Sequence, residues 1–244
     1  MKVKDLIMPK FCAHCFILLI MCVLFLLPVG GSADEKPAEP PVRITFKRAA
    51  VASFLVGRRQ PELNETADQT LSCSLKRMCA DDPSIKSNAG ITLTRLVDQQ
   101  LGRRFGNQVL PREDVKVVEN GLHLDRESDT PLSMAQALGK ALDVDVVMLG
   151  TVWRYRDRSV QPGMPDSNAS VAFAVYFVEV ATGRILWYNT FDQTQKTLMS
   201  NLLEAKKQMK LGLKWLSADE LAERGVQEMF SQFPDNILPG NFKQ

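Results

Sequence analysis

The chain has 244 residues, 45% of them apolar and 24% charged, the composition of a globular protein with a sizeable core. Its formal charge of +2 comes from the amino terminus: without Lys2, Lys4, Lys10 and Asp5 the sequence holds 27 basic and 27 acidic side chains. A neutral body has no broad field to draw in polyanions, so general nucleic-acid binding is excluded.

The first 33 residues read as a secretory signal. The three lysines open it, "FILLIMCVLFLLPV" (Phe16 to Val29) is the apolar run, and "GGSA" supplies small residues that place cleavage after Ala33. A run of about 14 residues is short of the roughly 20 needed to span a bilayer as a helix. An uncleaved membrane anchor is the alternative. Met21 before Cys22, followed by more apolar sequence, argues against lipidation. Residues 34–43, "DEKPAEPPVR", form a short proline-rich linker.

A single domain is expected over residues 44–233, with 234–244 as a tail. "RAAVASFLVG" (Arg48 to Gly57) reads as the first strand. A long loop follows and carries Cys73 and Cys79, the two cysteines left after the leader. An even pair outside the cytosol favours one disulfide. Six residues of α-helix would hold the Cα atoms about 9 Å apart, so a bridge requires a folded-back loop. Two unpaired buried thiols are the alternative.

"ITLTRLVDQQLGRRF" has Ile91, Leu93, Leu96, Val97, Leu101 and Phe105 at helical spacing. "QVLP" fits a very short second strand. A second helix starts at "DTP", with Asp129 or Thr130 as cap and Pro131 in the first turn, and buries Leu132, Ala135, Leu138 and Leu142. Three strands come next: Val146 to Arg158, Ala169 to Val180, and Arg184 to Gln193. "ATGR" closes a hairpin between the last two, and "VQPGMPDSNA" is a longer, mobile connection between the first two. A lysine-rich helical stretch precedes a final helix that opens with the capping box Ser217–Glu220. That helix buries Leu221, Val226, Met229 and Phe230, and Pro234 ends the domain. The fold class is α/β (α+β): a mixed sheet in the order β-α-β-α-β-β-β-α, with helices packed on the sheet and a C-terminal antiparallel meander.

The run "ALDVDVVMLGTVWRYRDR…ASVAFAVYFVEVATGRILWYNTFDQT" resembles bacterial envelope proteins of the curli-secretion-lipoprotein and penicillin-binding-protein-activator superfamily. The amino-terminal domain of the Tol-Pal translocation protein is similar in layout, as is a group of uncharacterised lipoproteins with a cysteine pair after the first strand. The likeness spans Arg48 to Asp192 and rests on the helix-strand opening, "VVMLGTV" and "VATGRILW". It implies a periplasmic or cell-envelope accessory domain. The chain departs from these relatives in lacking the paired alternating segments of a membrane barrel, a long tether and a lipid acceptor.

No catalytic set stands out. After the leader the sequence offers one histidine, His123, in "NGLHLDR", and no GxSxG elbow, P-loop or dinucleotide glycine motif. Two cysteines and one histidine do not close a zinc site, so no metal and no cofactor are expected. "DVD" (Asp143 to Asp145) reads as a solvated turn at a helix end.

The candidate contact surface is the end of "VVMLGTVWRYRDR". Strict alternation puts Val152, Arg154, Arg156 and Arg158 on one face and Thr151, Trp153, Tyr155 and Asp157 on the other. One reading is an anion- or peptidoglycan-binding stripe of guanidinium groups. The other, preferred here, is an open sheet end with arginines paired to Glu179 or Asp192 across strands. Trp153 and Tyr155 join Arg154, Arg156 and Arg158 as candidate partner- or anion-binding residues; together with Trp187 and Tyr188 near the same end they are read as core or rim packing in preference to a ligand cage. "EAKKQMKLGLKW" (Glu204 to Trp215) fits peripheral contact with an anionic membrane or, preferably, an amphipathic strap. The expected function is non-enzymatic: an exported accessory protein that binds or regulates an envelope partner protein. A homo-oligomeric component of a secretion or transport assembly is the alternative, and a cell-wall hydrolase comes third.

Overall fold

The computed structural model describes residues 43–159, 167–195 and 216–240. In chain order the elements are β1 (Ile44–Phe46), β2 (Ala49–Val51), β3 (Leu55–Val56), α1 (Ala67–Leu71), α2 (Leu75–Met78), α3 (Ala89–Phe105) and a 3-10 turn (Gly106–Gln108). Then come α4 (Arg112–Gly121), α5 (Pro131–Ala141), β4 (Val146–Arg156), β5 (Ser170–Glu179), β6 (Ile185–Thr194), α6 (Ala218–Ser231) and β7 (Ile237–Pro239).

The apolar run of β4 makes it the central strand. β2 and β3 both pair with it in parallel, and β5 and β6 continue from it as an antiparallel meander, giving the order β2-β4-β5-β6 with β3 also on β4. Gly183 closes the β5–β6 hairpin at φ +75°, a conformation that costs glycine nothing. The expected fold class, a mixed sheet covered by helices, is what forms.

Alternation sorts the strand side chains into two cores. On the first face Val146, Met148 and Val152 of β4 and Phe173, Val175 and Phe177 of β5 pack under α3 and α6. On the second face Val147 and Leu149 of β4 and Ala174, Tyr176 and Val178 of β5 pack under α1, α4 and α5. Every β5 residue except Glu179 is buried, as its apolar sequence implies for a central strand.

The first strand differs from expectation because it is broken after Val51. Ala52 N still donates to Met148 O at 2.8 Å. The next two amides are taken by side chains instead: Ser53 N by Glu119 Oε1 at 2.6 Å and Phe54 N by Thr94 Oγ1 at 3.0 Å. The short strand expected at "QVLP" reduces to one bridge between Ala49 and Val109, with Leu110 N donating to Ala49 O at 2.9 Å.

Both capping signals hold. Thr130, rather than Asp129, caps α5 with Ser133 as its reciprocal partner, and Ser217 caps α6 with Glu220. Of the expected stripe on α3, Leu93, Leu96, Val97, Leu101 and Phe105 are buried, but Ile91 in the first turn is 75% exposed.

Beyond Pro234 the described residues, up to Gly240, are packed. β7 pairs in parallel with β1, matching Ile44 to Ile237, and Ile237 is 1% exposed. Arg104 of α3 holds this end: its guanidinium donates to the Phe233 carbonyl, pairs with Asp235 at 2.8 Å and stands 5.0 Å over the Phe233 ring.

Candidate functional site

The arginine-bearing end of β4 does not follow strict alternation. β4 and β5 pair residue for residue from Val146↔Glu179 to Val152↔Phe173; the register then skips Trp153, and Arg154 pairs with Ala172. Trp153 is the extra residue of a β-bulge. One extra residue reverses the sides beyond it. Tyr155 therefore joins Val152 in the first core, while Trp153 lies in the second. Asp157 follows Tyr155 toward α6, where it accepts a hydrogen bond from Ala218 N at 2.8 Å. The expected grouping of Tyr155 and Asp157 with Thr151 and Trp153 is thus corrected.

Arg154 takes the cross-strand role expected of an open sheet end. Its Nε donates to Ser170 Oγ at 2.6 Å and its fork pairs with Asp192. Ser170 Oγ in turn shares a hydrogen bond with Thr194 Oγ1 at 2.7 Å. Glu179, the other acid considered, pairs with Arg184 at 3.6 Å. Arg156 and Arg158 are exposed. Along β6 the first-face residues Trp187 and Phe191 are buried, whereas Tyr188, Thr190, Asp192 and Thr194 are exposed. Tyr188 lies against buried Tyr176, ring centroids 6.2 Å apart and nearly parallel. Trp153, Tyr155 and Trp187 are core residues, and of the four aromatics only Tyr188 reaches solvent.

Beyond the bulge, β4 is latched to α6 and to the loop before α3. The Tyr155 hydroxyl donates to Asp219 Oδ1 at 2.7 Å; burial and then Asp219 push the phenol far above its ordinary range. Lys86 reaches Asp157 at 2.9 Å and Asp219 at 3.5 Å, which raises the lysine, chiefly through Asp157. The Ala218 N–H, followed by Lys86, holds the Asp157 carboxyl below its ordinary 3.8. A depressed acid contributes stability that is complete above its unfolded value and is lost as pH falls through the lowered one. Asp157→Asn should therefore cost less than about 1 kcal/mol at neutral pH, the side chain being half exposed, and the difference from wild type should vanish as the solution is acidified below pH 3.8. Urea titrations at several pH values check this.

The expected disulfide is not formed in this structure. Cys73 and Cys79 are separate thiols. A bridge requires the interval to fold back, but α2 fills it with a helical turn. Cys73 Sγ instead turns back toward the Gln69 carbonyl of α1, at 3.8 Å, and Cys79 ends α2 with its thiol pKa raised by burial. His123 is exposed just beyond α4. Asp143, at φ +51°, ends the turn after α5, and Asp145 accepts from Lys47 N at 2.6 Å and Arg48 N at 3.2 Å, so the "DVD" segment is tied to the bend between β1 and β2. An open cleft of about 590 Å³ between β1 and the end of α5 mixes Lys47 and Lys140 with Asp143, Asp145 and Glu179. Ala33 and Glu204 to Trp215 lie outside the described residues, as does most of "VQPGMPDSNA".

Two polar clusters have no counterpart in the sequence reading. Arg112 donates to the Val51 carbonyl at 3.0 Å and pairs with Glu119 at 2.8 Å, and Glu119 also takes the Ser53 hydroxyl at 2.8 Å. This network fastens α4 to the gap between β2 and β3. On the second face Arg59 and Glu65 form a 2.6 Å ion pair whose side chains are only 14% and 10% exposed. Burial raises the Glu65 carboxyl, yet Arg59 and the Glu62 N–H together bring it below its ordinary value. Beside the pair, burial drives the Tyr176 phenol up to about 12, opposed by the nearby Thr151 and Thr70 hydroxyls. The one local signal for this region is the pattern Thr66-x-x-Gln69, a capping box that opens α1.

Fold and site together define a three-layer α/β body whose sheet emerges from its helical cover along β6. No family model matches the sequence, and no curated protein does. Among solved structures, PelC from Paraburkholderia phytofirmans, crystallised as a dodecamer, is similar at 14% identity over 70% of this chain and 92% of its own, with a TM-score of 0.35. Lipoprotein GNA1162 from Neisseria meningitidis is 16% identical over 68% of this chain and 99% of its own, TM-score 0.37. The C-terminal domain of LpoB from Salmonella enterica is 14% identical over 62% and 85%, TM-score 0.36. At these values the likeness transfers none of those proteins' properties to this chain. Among the described residues no helix is long and apolar enough to cross a membrane.

Proposed function

We propose that this chain is an exported, non-enzymatic accessory protein of the cell envelope that binds a partner protein through the β6 side of its sheet. The supporting observation is the exposed row Tyr188, Thr190, Asp192 and Thr194 beside Arg156, on a sheet whose strands β2, β4 and β5 contribute to helix-covered cores on both faces. Tyrosine and arginine supply large contact area and directional hydrogen bonds, and both are enriched at protein interfaces. The leader places this surface outside the cytosol. The processed chain should begin at Asp34, as read by intact mass of protein recovered from the envelope fraction; a full-length mass from the cytosol contradicts the reading.

The partner contact is tested with Arg156→Ala/Arg158→Ala/Tyr188→Ala, which leaves the Arg154–Asp192 pair in place. Crosslinked partner recovered from envelope preparations should fall at least about tenfold, the loss of one interface anchor, with the circular dichroism unchanged. Equal recovery removes this surface from the function. Light scattering of the purified chain separates a foreign partner from a second copy.

A further inference from the structure

We propose that Arg59, Thr151 and Trp153 hold a buried oxygen acceptor, an ordered water or a small oxyanion, between the second face of the sheet and α1. Arg59 Nη1, Thr151 Oγ1 and Trp153 Nε1 are all buried and make no hydrogen bond within the described residues. Thr151 is 2% exposed and Trp153 7% exposed. Buried polar atoms are almost always satisfied, and where the chain supplies no partner an internal water or a ligand does.

The three groups belong to one neighbourhood. Thr151 and Trp153 lie two apart on β4, ahead of the point where the bulge reverses the sides. Ala174 faces Thr151 across the strand pair, and Ala172 lies on the same face of β5 opposite Arg154; both side chains are single methyl groups. α1 forms the roof with Thr70 and Leu71. Arg59 commits Nη2 to Glu65 and leaves Nη1 over, and both it and Thr151 are near enough to act on the Tyr176 hydroxyl. Arginine and tryptophan can only donate, and the threonine hydroxyl can donate, so an oxygen acceptor fits all three. The Arg59–Glu65 pair carries no net charge, so the acceptor need not be an anion.

Thr151→Val preserves shape and removes the hydroxyl. With an acceptor in place its melting temperature should drop by about 2–4 °C, and Thr151→Ser should restore it; an orphan hydroxyl predicts a neutral or higher value. Trp153→Phe should couple to Thr151→Val, because both reach the same atom, whereas independent sites add. Titration with acetate and phosphate distinguishes the sources. A melting temperature that rises with either salt in wild type but not in Thr151→Val assigns an oxyanion. Insensitivity to both, with a long-lived water cross-peak to the Trp153 indole proton, assigns water. A neutral Thr151→Val, additive variants, or wild type showing neither salt response nor water cross-peak overturns the proposal.

Discussion

Phe177→Ala should lower stability by about 3–5 kcal/mol, the cost of emptying a buried aromatic site, which for a body of this size moves the melting temperature down by about 6–20 °C. The residue is 0% exposed on β5 and its ring meets Phe46 at 5.6 Å and Phe233 at 5.6 Å. Phe46 in turn meets Phe105 of α3 at 5.0 Å, and Phe105 meets Phe233 at 5.8 Å. Removing the ring therefore takes an apolar contact from the central sheet, from β1 and from the turn after α6 together. These partners are rigid rings edge-on to one another, so little relaxation can fill the void. A calorimetric scan is the check; a shift under 2 °C would mean that the β1–β7 end is loosely joined to the sheet.

Gly57→Ala should have the second largest effect, about 1–3 kcal/mol from overpacking. A Cβ at this position would sit 2.2 Å from the Met78 carbonyl oxygen and 2.7 Å from Cys79 Cα. These are backbone atoms at the end of α2, which cannot move aside as a side-chain tip can. Gly57 is also held from the other side, where its N–H donates to Val152 O at 3.1 Å, and the next amide, Arg58 N, donates to Ala80 O at 3.1 Å. The clash must push the Met78–Ala80 segment outward, so the half-buried Cys79 thiol should become more reactive toward a maleimide relative to Cys73. Gly102→Ala is the control. Nothing lies within 4 Å of its Cβ position inside α3, and alanine there should stabilise by about 0.5–1 kcal/mol. Wild-type stability and labelling in Gly57→Ala would show that α2 is not seated against β3.

The elements read most easily were those whose pattern is long and strongly apolar. β4, β5, β6, α3, α5 and α6 all form where periodicity or a capping signal placed them. α4 was missed because "REDVKVVENG" buries only Val115 completely, so its apolar stripe is too thin to see. β1 and β7 were missed because three residues carry no period, and their pairing joins positions 193 residues apart. The break in the first strand was invisible for a different reason: its amides go to Glu119 and Thr94, partners that no local pattern names. At the candidate surface the residue types were legible but their facing was not. A bulge adds one residue on one strand only, and strand alternation has no term for it. The cysteine pair was read as a disulfide on a folded-back loop; what the spacing did not reveal was that a helical turn, α2, would form between the two thiols.

Amino-acid order alone determined the class of fold, the central place of the Val146 strand and the helix caps, because each depends on neighbours a few residues apart. Tertiary structure decided which way Tyr155 and the arginines point, what Cys73 and Cys79 face, and how Arg59 comes to lie buried beside Glu65. Those outcomes depend on contacts between distant segments, where packing and hydrogen-bond supply outweigh local preference.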